Sequence, residues 1–121
     1  MAKSILVVYT KPVEGREAEF DEWYTSVHLP EVVRLEGFTA ARRYRFVPEK
    51  AGEAHPDLPW LAIYEIEDGM LDAARSALAA ALRSSSAAVR EGRTPELMPS
   101  DALHRERGVA WFEEIAAVQG S

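Results

Sequence analysis

Three histidines, four tyrosines and no cysteine make up most of the chemical inventory of this 121-residue chain. Of the histidines, only His28 stands at a structural joint, two residues ahead of Pro30 at the expected end of a helix. An imidazole titrates near neutrality and so suits general acid or base work. A helix C-terminus favours its protonated form and burial the neutral one, and the sequence does not say which prevails. The competing reading is structural, with His28 capping a loose carbonyl of the helix. His55, in a loop, and His104, in the charged run His104-Arg105-Glu106-Arg107, read as solvated. No two histidines have the i, i+2 or i, i+4 spacing of a ligand pair, so no metal is expected.

Arg42 falls among apolar residues of an expected strand, where a guanidinium needs a carboxylate or a polar substrate group. A salt bridge to Glu65 or to a helix acid is one outcome and substrate binding the other. Tyr9, Tyr44 and Tyr64 lie on expected strands, able to donate phenolic hydrogen bonds into a pocket or to fill a core. Trp23, Tyr24, Trp60 and Trp111 are either core residues or a wall against a flat ligand. Glu113-Glu114 reads as an edge-strand marker.

These side chains need elements to hold them. Ser4 to Thr10 is a strand, apolar on both faces and therefore central, closed by Lys11-Pro12. From Arg16, the spacing of Phe20, Trp23, Tyr24 and Val27 predicts an amphipathic helix, ended or kinked near His28 because Pro30 disfavours helical geometry at Leu29. One or two further turns from Pro30 stop at Gly37. Phe38 to Val47 predicts a second strand with Phe38, Ala40, Arg42, Tyr44 and Phe46 on its more apolar face. A loop over Pro48 to Pro59 leads to a third strand, Trp60 to Ile66.

Leu71 to Val89 predicts a second helix, with Leu71, Ala74, Leu78, Ala81, Leu82 and Val89 on one stripe and Ser84-Ser85-Ser86 as a place to fray or kink. Gly92 to Gly108 is an extended excursion, a lid or a dimer contact. Val109 to Val118 suits helix or strand by periodicity. As a strand it completes an α+β fold of ferredoxin-like βαββαβ topology with a four-stranded antiparallel sheet, residues 1–121 forming one domain. Two helices cover one sheet face, so apolar residues on the other call for a second copy and a homodimer.

Bulk properties narrow the classes. The net charge is -6 and the pI near 5.1, which disfavours nucleic-acid binding. The longest aliphatic run, Ile5 to Val8, is far short of the ~20 residues a membrane helix needs. Met1 to Ser4 does not read as a secretory signal, so a cytoplasmic address is the default expectation. Neither a glycine-rich phosphate loop nor a Gly-x-Ser-x-Gly elbow occurs.

The run Phe20-Asp21-Glu22-Trp23-Tyr24-Thr25-Ser26-Val27-His28-Leu29-Pro30-Glu31-Val32, followed by Leu35-Glu36-Gly37-Phe38 and Arg42-Arg43-Tyr44, resembles the EthD-like branch of the dimeric α+β barrel superfamily. The resemblance covers roughly residues 4–47. It implies a dimeric barrel of two four-stranded sheets with a pocket in each subunit between sheet and helices. Across that superfamily such pockets hold haem, polyketides, aromatic compounds or lactones.

The expectation that follows is a cofactor-free lyase, cyclase or isomerase acting on a small cyclic, aromatic or polyketide-like substrate. His28 would be the acid/base, Tyr64 or Arg42 would polarise an oxygen, and Tyr9, Trp23, Tyr24, Tyr44 and Trp60 would contact substrate. Two alternatives stand beside it. One is an oxygenase of the same superfamily, although the quinone-forming and haem-degrading members use an Asn and this chain has none. The other is a non-catalytic dimer that binds a hydrophobic small molecule. A pocket ending at His28 favours catalysis, and one without a polar end favours binding alone.

Overall fold

The structure is a computed structural model describing residues 3–53 and 56–120; His55 lies outside them. Strands β1 (Ser4–Thr10), β2 (Phe38–Arg45), β3 (Trp60–Ile66) and β4 (Gly108–Glu113) form one antiparallel sheet in the order β2-β3-β1-β4. Helices α1 (Glu17–Trp23), α2 (Leu29–Val33) and α3 (Leu71–Arg90) complete the ferredoxin-like α+β fold. β1 is central, as its two apolar faces require. Alternate residues Leu6, Ala62, Tyr64 and Ile66 are buried on the helix-covered face.

The C-terminal element resolves as a strand. It is shorter than the expected 109–118, because the ladder ends at Glu113 with one further bond from the Glu114 amide to the Lys3 carbonyl, 2.7 Å. Ile115 and Val118 are almost fully exposed beyond it.

Three expectations need correction. First, of the two outcomes expected at Pro30, an end or a kink near His28, the end does not occur. Leu29 keeps helical geometry (φ −58°, ψ −49°), and Tyr24–His28 forms a π-helical turn between α1 and α2, with the Leu29 N–H donating to the Tyr24 carbonyl. A proline ring clashes with the carbonyl four residues back, and a wider turn gives that carbonyl room while the chain stays helical.

Second, Arg42 is not on the core face of β2. The ladder with β3 slips between Phe38 and Ala40, and a one-residue slip exchanges the faces. Phe38, Ala41 and Arg43 therefore face the helices, while Ala40, Arg42 and Tyr44 face the open side. Arg42 is exposed and paired with Glu65, the salt-bridge outcome. Arg43 is the cation that enters the helix layer, bonded to Asp21 (3.0 Å) and Thr25 (3.0 Å) and lying over the Phe20 and Tyr24 rings.

Third, Ser84-Ser85-Ser86 neither frays nor kinks α3. The helix runs through it, with Ala74, Ala81, Ser85 and Ala88 buried, Ser85 beneath the Leu97 amide, while Leu82 and Val89 are half exposed. Small side chains let α3 approach closely. At Gly37 (φ +91°) an added Cβ would stand 2.9 Å from the Ala74 Cβ. Gly37→Ala is expected to destabilise the fold by about 2–4 kcal/mol, left-handed strain plus overpacking. Gly15→Ala, with φ +83° and no atom within 4 Å, carries the strain alone. Urea midpoints of the two variants separate the contributions.

Candidate active site

A cavity of about 420 Å³ opens between the sheet and the helices, a volume in the range of small-molecule sites. Val8 and Thr10 of β1 form its floor, Trp23, Tyr24 and His28 one side, and Leu82, Ser85 and Val89 of α3 the other. The segment 97–107 closes it with Leu97, Met98, Leu103 and Arg107.

That segment is the central part of the expected excursion, and it is a clasped wall. The Trp23 indole N–H donates to the Met98 carbonyl (3.0 Å) and the Met98 N–H to the Glu31 carboxylate (3.0 Å). The Leu97 N–H donates to Ser85 Oγ (2.8 Å), the Val13 N–H to the Ala102 carbonyl (2.7 Å) and the His104 N–H to the Lys11 carbonyl (3.0 Å). Glu31 is buried, and that burial raises its carboxyl pKa above the ordinary range while the Met98 amide pulls the other way. Glu31→Gln keeps the shape but loses the charged acceptor, so amide exchange at Met98 is expected to quicken about 5-fold, read by NMR.

The π turn decides what surrounds His28. Residues five apart on an α-helix point about 140° from each other, yet the Trp23 and His28 rings stack here at 4.8 Å and 21°. Tyr24 meets the same imidazole edge-on at 5.1 Å. Widening the turn brings i+5 over i, so the imidazole is sandwiched at the cavity wall.

No cap bond forms. Because the helix continues into α2, its carbonyls near His28 are not loose, and His28 Nδ1 is buried without a hydrogen-bond partner among the described residues. Burial, helped by the positive charge of Arg107, lowers the His28 pKa to about 4. Of the two opposed effects, desolvation prevails, because the helix terminus that would have favoured the cation is absent. At pH 7 the ring is neutral, and the same burial that keeps it so lowers its basicity.

Behind it, the Tyr24 hydroxyl lies beside Thr10 and the Tyr64 hydroxyl, and burial raises the pKa of both phenols. The Tyr64 hydroxyl has no well-formed hydrogen bond among the described residues. Both phenols are therefore un-ionised at neutral pH.

Of the expected residues, the structure brings His28, Trp23 and Tyr24 to the cavity. Tyr64 is fully buried behind Tyr24 and does not line it. Tyr9, Arg42 and Tyr44 are on the open sheet face, and Trp60 packs edge-on against Phe20 at 5.8 Å, away from the imidazole. His104 Nδ1 accepts from the Glu106 amide, 3.0 Å, in the strap. Sequence reasoning missed Thr10, Ser85, Glu31 and Arg107. One signal was present, the apolar pair Leu97-Met98 bracketed by Pro95 and Pro99 in an otherwise polar stretch.

A larger hollow, about 690 Å³, lies at the opposite end of the sheet. Five carboxylates (Glu65, Glu67, Asp68, Glu113 and Glu114) and one cation, Lys3, line it, and it holds no histidine. It offers volume without acid/base pairing.

Fold and cavity together define a small α+β protein with its hollow between sheet and helix layer. Among solved structures, the chain is similar to an ethyl tert-butyl ether D (EthD) family protein from Bacillus halodurans, at 20% identity and TM-score 0.51, over 95% of this chain and 100% of that one. It is also similar to a protein of unknown function from Nitrosomonas europaea, at 23% identity and TM-score 0.53, over 100% of this chain and 97% of that one. The EthD-like fold relationship expected from the first helix and second strand thus extends along the chain. No protein-family model matches the sequence, and no curated protein is significantly similar to it. Among the described residues no helix is long and apolar enough to cross a membrane.

Proposed function

We propose that this chain is a cofactor-independent enzyme of lyase, cyclase or isomerase type that moves a proton on a small cyclic, aromatic or polyketide-like substrate held in the 420 Å³ cavity. The observation that carries this reading is the His28 imidazole, neutral at pH 7, in the wall of a cavity whose lining is mostly apolar and carries one cation, Arg107. His28 takes a proton from a carbon beside a carbonyl. The released electron pair moves onto the carbonyl oxygen, and the Tyr24 hydroxyl, kept protonated by burial, donates to that oxygen. The proton returns from His28 to another carbon, or to a departing oxygen. Trp23 fixes the imidazole plane by stacking. Tyr64 supports Tyr24 from behind, and Arg42 has no part in the chemistry.

The test does not need the natural substrate. A thermal-shift panel of aromatic ketones and lactones selects ligands, and NMR then follows exchange of their acidic C–H into deuterium oxide. Exchange that depends on His28 supports the reading; bound ligands that exchange no faster than in buffer remove it.

We further propose a homodimer formed through the open sheet face. Tyr9, Tyr44 and Phe112 are 40, 48 and 50% exposed there, beside Ile5, Leu61 and Ile63. An apolar sheet face of this kind calls for a cover.

A further inference from the structure

The cavity has one cation in its lining, Arg107, and the carboxylates of the 97–107 strap are engaged elsewhere. Glu106, its neighbour in sequence, is bound to Lys11 at 2.8 Å. Asp101 is bound to Arg16 at 2.7 Å, and Glu31 accepts from the Met98 amide. Among the described residues Arg107 itself has no carboxylate partner; its guanidinium makes a long bond, 3.4 Å, to the Arg105 carbonyl. Arg107 is exposed and carries no carboxylate, so its charge is available to a ligand at the cavity.

The rest of the hollow is chemically lopsided. Leu82, Val89, Leu97, Met98 and Leu103 offer hydrocarbon, while Arg107 stands near enough to His28 and Tyr24 for its charge to act on both. Thr10, Ser85, Ser86 and Ser100 add neutral polar groups to the lining, and Arg107 is its one charge.

We propose that the site selects a small apolar molecule carrying one anionic oxygen group, a carboxylate or a stabilised enolate, paired with Arg107 while its hydrocarbon body lies against α3 and the 97–107 strap. This rests on reading the cavity as a substrate site. A planar guanidinium binds a carboxylate through two parallel N–H donors, giving charge and orientation together. An anion placed there also sets the adjacent carbon toward His28.

Titration calorimetry on the full chain with 2-naphthoate and 2-naphthamide, equal in shape and different in charge, tests the assignment. The wild-type protein is expected to bind the acid about 10-fold more tightly than the amide. Arg107→Gln is expected to abolish that preference and leave amide affinity unchanged. Arg45→Gln, at an exposed cation of β2 outside the cavity, should keep it. Equal affinities in the wild type, or a preference that survives Arg107→Gln, overturn the anion assignment alone, since His28-dependent exchange is measured separately. Failure of both probes to bind at millimolar concentration sinks the assignment together with the substrate-site reading.

Discussion

His28→Gln is expected to lower turnover by about 10²- to 10⁴-fold, the range over which a positioned acid or base contributes, while ligand affinity and the fold persist. Glutamine approximates the ring's size, so the cavity keeps its shape. The same substitution has a second signature that a purely structural histidine at the surface would lack. An ordinary imidazole titrates near 6.5 and the folded one at about 4. The unfolded chain therefore binds the proton more readily throughout that window, and stability must fall as pH drops from 6.5 toward 4. The full effect is roughly 3 kcal/mol, present above pH 6.5 and lost near pH 4. Urea titrations at pH 7 and pH 4.5 should show a steeper acid loss in the wild type than in His28→Gln. Parallel acid losses in both would mean that the folded ring titrates normally, and the desolvation assigned to it would be lost. The rate should respond in kind: kcat/KM is expected to be flat through neutrality and to fall only toward pH 4, where the free enzyme's base becomes protonated.

Elements bounded by strong local signals were legible in the sequence. β1 and β3 begin and end where expected because β-branched and aromatic runs are closed by prolines or charges, and α3 follows its alanine-rich spacing. The faces of β2 were not legible, for a specific reason. Ala40-Ala41 and Arg42-Arg43 are doublets, so shifting the register by one residue exchanges like for like, and the apolar pattern cannot report which arginine turns inward. Only the bulge near Thr39 decides, and it arises from pairing with β3. The π turn was hidden similarly. Local chemistry argues that Pro30 stops a helix, but burial of Val32 and the bond from Glu31 to the strap hold the chain helical beyond it, and the wider turn absorbs the conflict. The site's remaining parts, Thr10, Ser85 and Arg107, come from three elements far apart in sequence, so no spacing rule could join them.

The second large effect lies on the opposite side of the sheet. Phe112→Asp is expected to weaken self-association by more than about 100-fold, turning a dimer at micromolar concentration into single subunits in sedimentation velocity. Phe112 projects from β4 across from Ile5, on the face shared with Val7 and Ile63. In a lone subunit it is 50% exposed, so a carboxylate there stays hydrated and costs the fold little. Between two sheets the same carboxylate would be stripped of water, and Arg42, the cation of β2 on this face, is already paired with Glu65, so the penalty is several kcal/mol. The contrast makes the variant diagnostic, because unchanged urea stability combined with lost association separates an interface from a core. The cavity is on the other face, walled by α3 and the strap, so ligand binding should survive in the monomer and the two proposals stand or fall apart. A wild-type chain that sediments as one copy at these concentrations removes the interface and leaves the exposed rings of Tyr9, Tyr44 and Phe112 to be explained by another partner.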